Sequence, residues 1–246
     1  PCRVTEAFVG VDVAFALGKR LPISICTWCD GRLVPLALRR LDLKPPEGRG
    51  NRLALDETVV AKFADAAVAY VQAVARQFSL RIARVAIDAP SGYCRPDRKR
   101  RAAEVAVNRA GIHCFPTPSA EGFNKARNKV EAHLDAGGEL AHVPHANQLW
   151  MLPGFALFRA FEGICDVREV YPQATVQVLG AGLKHKTKRH AVIAQLDAAA
   201  AHTGWAGDDP SLDDIAFGLR HDKLDAYLSA WVAALPEDQL VAFGDP

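Results

Sequence analysis

Long apolar runs are missing from this 246-residue chain: none approaches the roughly 20 residues that cross a bilayer, so no membrane span is expected. The stretch PCRVTEAFVG has no basic start followed by an apolar segment. No signal peptide is expected there, and a cytoplasmic location is the expectation. Charge of one sign is also scarce, since 30 Lys and Arg against 28 Asp and Glu leave a net +2. That excludes a protein gripping nucleic acid by overall charge alone, although local patches remain open. Cysteines number six, and Cys26 and Cys29 form one C-x-x-C with no second pair at similar spacing. A structural zinc site is therefore not expected. The pair also lacks the strand-to-helix setting of a redox motif, and reads as small apolar residues in a strand. No internal repeat or low-complexity tract is found, and the chain reads as a single domain over residues 1–246.

What is present is a pattern of strands and helices. AFVGVDVAF (7–15) reads as a buried strand broken by one aspartate. PISICTWCDGRLVPLAL follows, and Asp30-Gly31 within it is a strong hairpin signal, because both turn positions favour positive φ. Residues 57–78 have helical period, with Val60, Phe63, Ala67, Val71 and Val74 on one face and Asp56 as cap. RIARVAIDAPSG reads as a strand closed by Asp88-Ala-Pro. Residues 97–111 read as helical and open an inserted, mostly helical region over about 97–163. A strand ending at Glu169, a helix in TKRHAVIAQLDAAAAHTG, an acidic loop GDDPSLDD and a closing helix complete the chain. The order suggests an α/β fold with a mixed five-stranded sheet whose first three strands are antiparallel.

Three expected core strands each carry one acid: Asp12, Asp88 and Glu169. A lone buried carboxylate costs several kcal/mol unless paired, protonated or metal-bound. Each acid has a structural explanation. Asp88 can cap the turn at Ala89-Pro90, and Glu169 can pair with Arg168 or Arg95, while Asp12 lies mid-run and is hardest to excuse. The closing helix, HDKLDAYLSAWVAAL, adds Asp222 and Asp225 beside Leu224 and Leu228. Asp222 can cap that helix, with Asp225 as its third residue. Sites in open α/β sheets form at the carboxyl ends of parallel strands. There, four or five converging carboxylates need a countercharge, and hard divalent cations such as Mg²⁺ or Mn²⁺ take oxygen ligands.

Two basic runs stand out, CRPDRKRR (Arg95, Arg98, Lys99, Arg100, Arg101) and KHKTKRH (Lys184, Lys186, Lys188, Arg189). Each reads either as a solvated helix face or as a flank for a phosphate-bearing substrate. Trp150 and Phe155 can stack a nucleobase, but such residues more often pack an inserted helix onto the core.

In that order, FVGVDVAF, VAIDAPSG, CRPDRKRR, REVYP and HDKLDAYLSA resemble the motifs of a family of predicted ribonuclease-H-like nucleases, domain of unknown function 429. The resemblance covers about residues 8–234 and implies a ribonuclease H-like fold. It assigns metal binding to Asp12, Asp88, Asp222 and Asp225, a less defined catalytic role to Glu169, and places Arg95 and Arg98 in an arginine-rich segment that contacts nucleic acid; in the mechanism that follows, Lys99, Arg101 or Lys186 steadies the backbone phosphates. The implied reaction is hydrolysis of a phosphodiester in DNA or RNA by water activated at Mg²⁺ or Mn²⁺, with His221 as a proton shuttle or a solvent-facing residue. Two alternatives stand beside it. One is a non-catalytic binding module on the same fold. The other is an ATP-dependent sugar- or acetate-kinase-like enzyme, which the lack of a second domain copy and of a glycine-rich phosphate loop disfavours.

Overall fold

The structure is a computed structural model and describes residues 5–181 and 188–244. Strands β1 (Thr5–Asp12), β2 (Ile23–Cys29) and β3 (Arg32–Pro35) form an antiparallel meander, and helix α1 (Glu57–Gln77) leads into β4 (Leu80–Asp88). Helices α2 (Ala102–Arg109), α3 (Ala120–Asp135), α4 (Ala146–Leu149) and α5 (Met151–Glu162) precede β5 (Asp166–Glu169). They are followed by α6 (Pro172–Val178), α7 (Arg189–Thr203), α8 (Leu212–Ile215) and α9 (Arg220–Ala234). The sheet order is β3-β2-β1-β4-β5, with β4 parallel to both β1 and β5. The expected α/β class, mixed five-stranded sheet and helical insertion are all present.

Local chemistry explains the elements. Asp30 and Gly31 take φ of 49° and 76°, the left-handed pair that the two-residue hairpin between β2 and β3 requires. The Asp56 carboxylate accepts from the Thr58 and Val59 N–H groups at 3.0 and 3.1 Å, which fixes the start of α1. The predicted α1 face is buried at all five positions. By length and composition α1 also resembles a membrane span, contrary to the expectation that none exists, but its apolar face packs in the core beneath the sheet.

Alternation along β1 and β4 divides the core into two layers. Ala7, Val9, Val11, Val85 and Ile87 face α1 and α5. Phe8 and Ala86 face the opposite layer, with Leu224, Tyr227 and Leu228 of α9. At Gly10 the helix backbone meets the strand directly. A Cβ built there would lie 1.9 Å from the Ala226 carbonyl oxygen and 2.2 Å from the Ala230 nitrogen.

Three expectations are corrected. β1 stops at Asp12 rather than running to residue 15; beyond it the chain leaves the sheet, and the Asp12 N–H donates to the Pro22 carbonyl at 3.1 Å. Asp12 is therefore a strand-end residue. Residues 97–101 precede the helix, which begins at Ala102, so Arg98–Arg100 are not a helix face. The expected acidic loop GDDPSLDD contains a short helix, α8.

Candidate functional site

The carboxyl ends of β1 and β4 lie side by side. Asp12 pairs in register with Asp88, and adjacent strands run about 4.8 Å apart. By alternation both belong to the same face as Gly10 and Ala86, the face that α9 covers. Both are half-buried.

Helix α9 delivers the next acids. It crosses β1 at Gly10 through Ala226 and Ala230, and its first turn reaches the end of β1, where a Cβ on Gly218 would lie 3.0 Å from both Asp222 and Pro22. Pro22 accepts the Asp12 N–H. Asp225, beside Ala226, is 3 % exposed, so water does not compensate its charge. Asp12, Asp88 and Asp225 each hold at least one polar or electrostatic interaction within the protein.

Asp222 has a second task. Its Oδ2 accepts the Leu219 N–H at 2.8 Å, and its Oδ1 lies 3.0 Å from His221 Nε2. The helix starts at Arg220, so Asp222 is its third residue rather than its cap, and Asp225 is its sixth. A carboxylate in this first turn also meets the positive end of the helix dipole. His221 is 21 % exposed at its side chain and its Nε2 lies against Asp222, so of its two expected readings the solvent-facing one is not met. The next residue, Lys223, is buried, and its Nζ bonds the Asp213 carbonyl at 3.1 Å and Oδ1 at 3.2 Å, clasping the acidic loop to α9.

Glu169 is not brought to this cluster. It pairs in register with Ile87, one residue before Asp88, and so belongs to the opposite face of the sheet. Its Oε2 accepts from Arg101 Nη1 and from the Ser91 N–H, each at 2.8 Å, and its Oε1 accepts from Arg101 Nη2. Burial pushes the Glu169 carboxyl up, but the hydrogen bonds and charge of Arg101 outweigh this and hold it below the ordinary value. The expected arginine partner exists; it is Arg101 rather than Arg95 or Arg168.

Arg101 is correspondingly drawn inward, with 17 % of its side chain exposed, and its Nε also bonds the buried Glu104 at 3.0 Å. Its expected contact with nucleic acid gives way to an internal clamp between α2 and the end of β5. Arg101→Ala is expected to cost about 3 kcal/mol in urea unfolding, because it strands two carboxylates. Glu169, with its lowered folded-state pKa, adds stability fully present above about pH 4.5, which is lost as pH falls through the lower folded value. Glu169→Gln should flatten that acid limb of the stability profile.

Of the remaining basic candidates, Arg95, Arg98 and Lys99 are exposed in the loop that leaves β4. Arg95 is paired with Asp97 at 3.2 Å. Lys186 lies outside the described residues. Cys26 is buried and Cys29 exposed, and the Cys26 thiol is pushed up to about 12 by burial, as suits an inert strand residue.

A family model described as "Protein of unknown function (DUF429)" matches residues 10–246. The chain belongs to this family. No curated protein and no solved structure matches it.

The donor chemistry of this DUF429 chain suits a hard cation: aspartates alone, two of them register neighbours, with a third on the helix that covers them. The set is not a ready-made cage. Among the described residues, no three His, Cys, Asp or Glu side chains stand together as a metal-binding group. Sequence reading passed over Gly10, although glycine inside a strand signals a close backbone approach. It also passed over Lys223, which the charge of HDKLDA concealed.

Proposed function

We propose that this chain is a metal-dependent nuclease on a ribonuclease H-like fold, hydrolysing phosphodiester bonds of a nucleic acid. The observation that carries the reading is the register pairing of Asp12 with Asp88 at the carboxyl ends of parallel strands, under the helix that bears buried Asp225. The antiparallel meander followed by parallel β4 and β5 supports the fold assignment.

Asp12, Asp88 and Asp225 would hold Mg²⁺ or Mn²⁺. A bound ion of this kind supplies Lewis-acid polarisation of the phosphoryl oxygen and lowers the pKa of water. The Asp222 carboxylate fixes the first turn of α9 and so the placement of Asp225. His221, whose Nε2 lies 3.0 Å from the Asp222 carboxylate, would be the proton carrier of that turn. Arg95, Arg98 and Lys99 would meet backbone phosphates, so binding falls as salt rises. Glu169 and Arg101 act as positioning residues through their mutual clamp.

The test is cleavage of labelled single-strand, duplex, RNA–DNA hybrid and branched substrates with Mg²⁺ or Mn²⁺. Turnover of at least one substrate, abolished by chelator, is expected; turnover that survives the chelator refutes the metal requirement. One observation favours a non-catalytic module instead, namely that three donors are not preassembled. Nucleic-acid binding without turnover on any substrate would select that reading.

A further inference from the structure

A groove of about 730 Å³ opens between the first half of α1, α3 and the start of α5. Tyr93 lies in its wall, five residues after Asp88, and its ring is held by Phe155 at 4.8 Å and Phe123 at 5.7 Å between centroids. Those two phenylalanines are 2 % and 4 % exposed, whereas Tyr93 is 49 % exposed. The three rings meet edge to face, at interplanar angles of 65° to 87°. A buried pair thus fixes the orientation of an aromatic ring that keeps half its surface in solvent. A ring held in place this way and half open to solvent can serve as a stacking platform.

The groove lies on the α1 and α5 side of the sheet, and α5 packs there against the residues that follow the strand-end aspartates. A Cβ on Gly154, the residue before Phe155, would lie 2.7 Å from the Ala89 side chain and 3.9 Å from Val13, the residues directly after Asp88 and Asp12. Its walls carry three cations, Lys62, Arg127 and Arg159, against two acids, Glu57 and Asp65. The loop that holds Tyr93 continues into exposed Arg95, Arg98 and Lys99.

From this juxtaposition we infer that the groove binds single-stranded nucleic acid, with an unpaired base covering Tyr93 while the adjoining backbone runs along the basic loop that leaves the end of β4. This rests on the nuclease reading and names its substrate class. An aromatic platform takes a base of any sequence, because each base has a π-face, but it takes one that is not already stacked in a duplex. Phe155, read from sequence as a core residue or a stacking residue, is core and serves as the support behind the platform.

The experiment is fluorescence anisotropy in EDTA with labelled dT and rU 12-mers and a 12-base-pair duplex, using wild type, Tyr93→Ala and Tyr93→Trp. Wild type is expected to bind the single strands more tightly than the duplex. Tyr93→Ala should weaken single-strand binding about tenfold or more, with duplex binding unchanged, and Tyr93→Trp should keep it. A folded Tyr93→Ala protein that binds single strands like wild type overturns the inference while leaving the nuclease reading intact. Equal or tighter duplex binding by wild type also overturns it. Tyr93-dependent single-strand binding without Mn²⁺-dependent cleavage sustains the groove and overturns the nuclease reading. Should Tyr93→Ala fail to fold, enhancement of 2-aminopurine fluorescence quenching when the probe binds wild type, lost in Tyr93→Leu, decides the same question.

Discussion

Replacing Asp12 by asparagine is expected to lower metal-dependent cleavage by about a thousandfold or more, with thermal unfolding close to that of wild type. Asparagine keeps the size of the side chain, and the main-chain bond from residue 12 to Pro22 does not involve the carboxylate. What it removes is one negative charge from a register pair with Asp88. Lewis-acid stabilisation of a phosphoryl transition state is worth several kcal/mol, and each ~1.4 kcal/mol is a factor of ten in rate. Initial rates on the best substrate, with circular dichroism as the control for folding, measure the effect. Cleavage within tenfold of wild type would remove Asp12 from the chemistry.

Gly10→Ala should be the most damaging single-methyl change in the sheet. The added carbon would stand 1.9 Å from the Ala226 carbonyl oxygen and 2.2 Å from the Ala230 nitrogen, both backbone atoms that cannot rotate away. The helix has no space to retreat into, because Leu224, Tyr227 and Leu228 are fully buried against the same layer. Overpacking ordinarily costs about 1–3 kcal/mol and sometimes more; with two backbone clashes the upper end, about 3 kcal/mol, is expected. It would be read as a lower urea midpoint. The folded fraction should also lose activity, since α9 carries Asp225 beside Ala226, and displacement of about 1 Å can cost a hundredfold. Near-normal stability and activity in Gly10→Ala would show that the fit of α9 on β1 does not set the site.

Much of this arrangement was legible in the residues. The hairpin at Asp30-Gly31, the cap and face of α1, and the acid closing the fourth strand follow from local chemistry, whereas Asp12 reads as mid-strand because the apolar run continues past it to Phe15. The fate of Glu169 was not legible, because its face depends on strand register. Pairing with Ile87 rather than Asp88 puts it across the sheet from the aspartates, and no sequence pattern in REVYP encodes that offset. Arg101 was misplaced for a related reason. In a run of basic residues nothing local distinguishes the one drawn inward, and its partners, Glu104 and Glu169, lie 3 and 68 residues away. Asp222 and Asp225 read as a repelling pair; the structure separates their tasks, one carboxylate bonding the start of its own helix and the other buried at the crossing with β1.

Everything functional rests on aspartates from β1, β4 and α9 acting together on one hard cation. Calorimetric titration of Mn²⁺ into the metal-free protein, beside Asp12→Asn and Asp225→Asn, measures this most directly. Saturable binding in wild type, weakened at least about tenfold in each variant, is expected. An absence of binding in wild type, or an affinity that neither substitution changes, would contradict it.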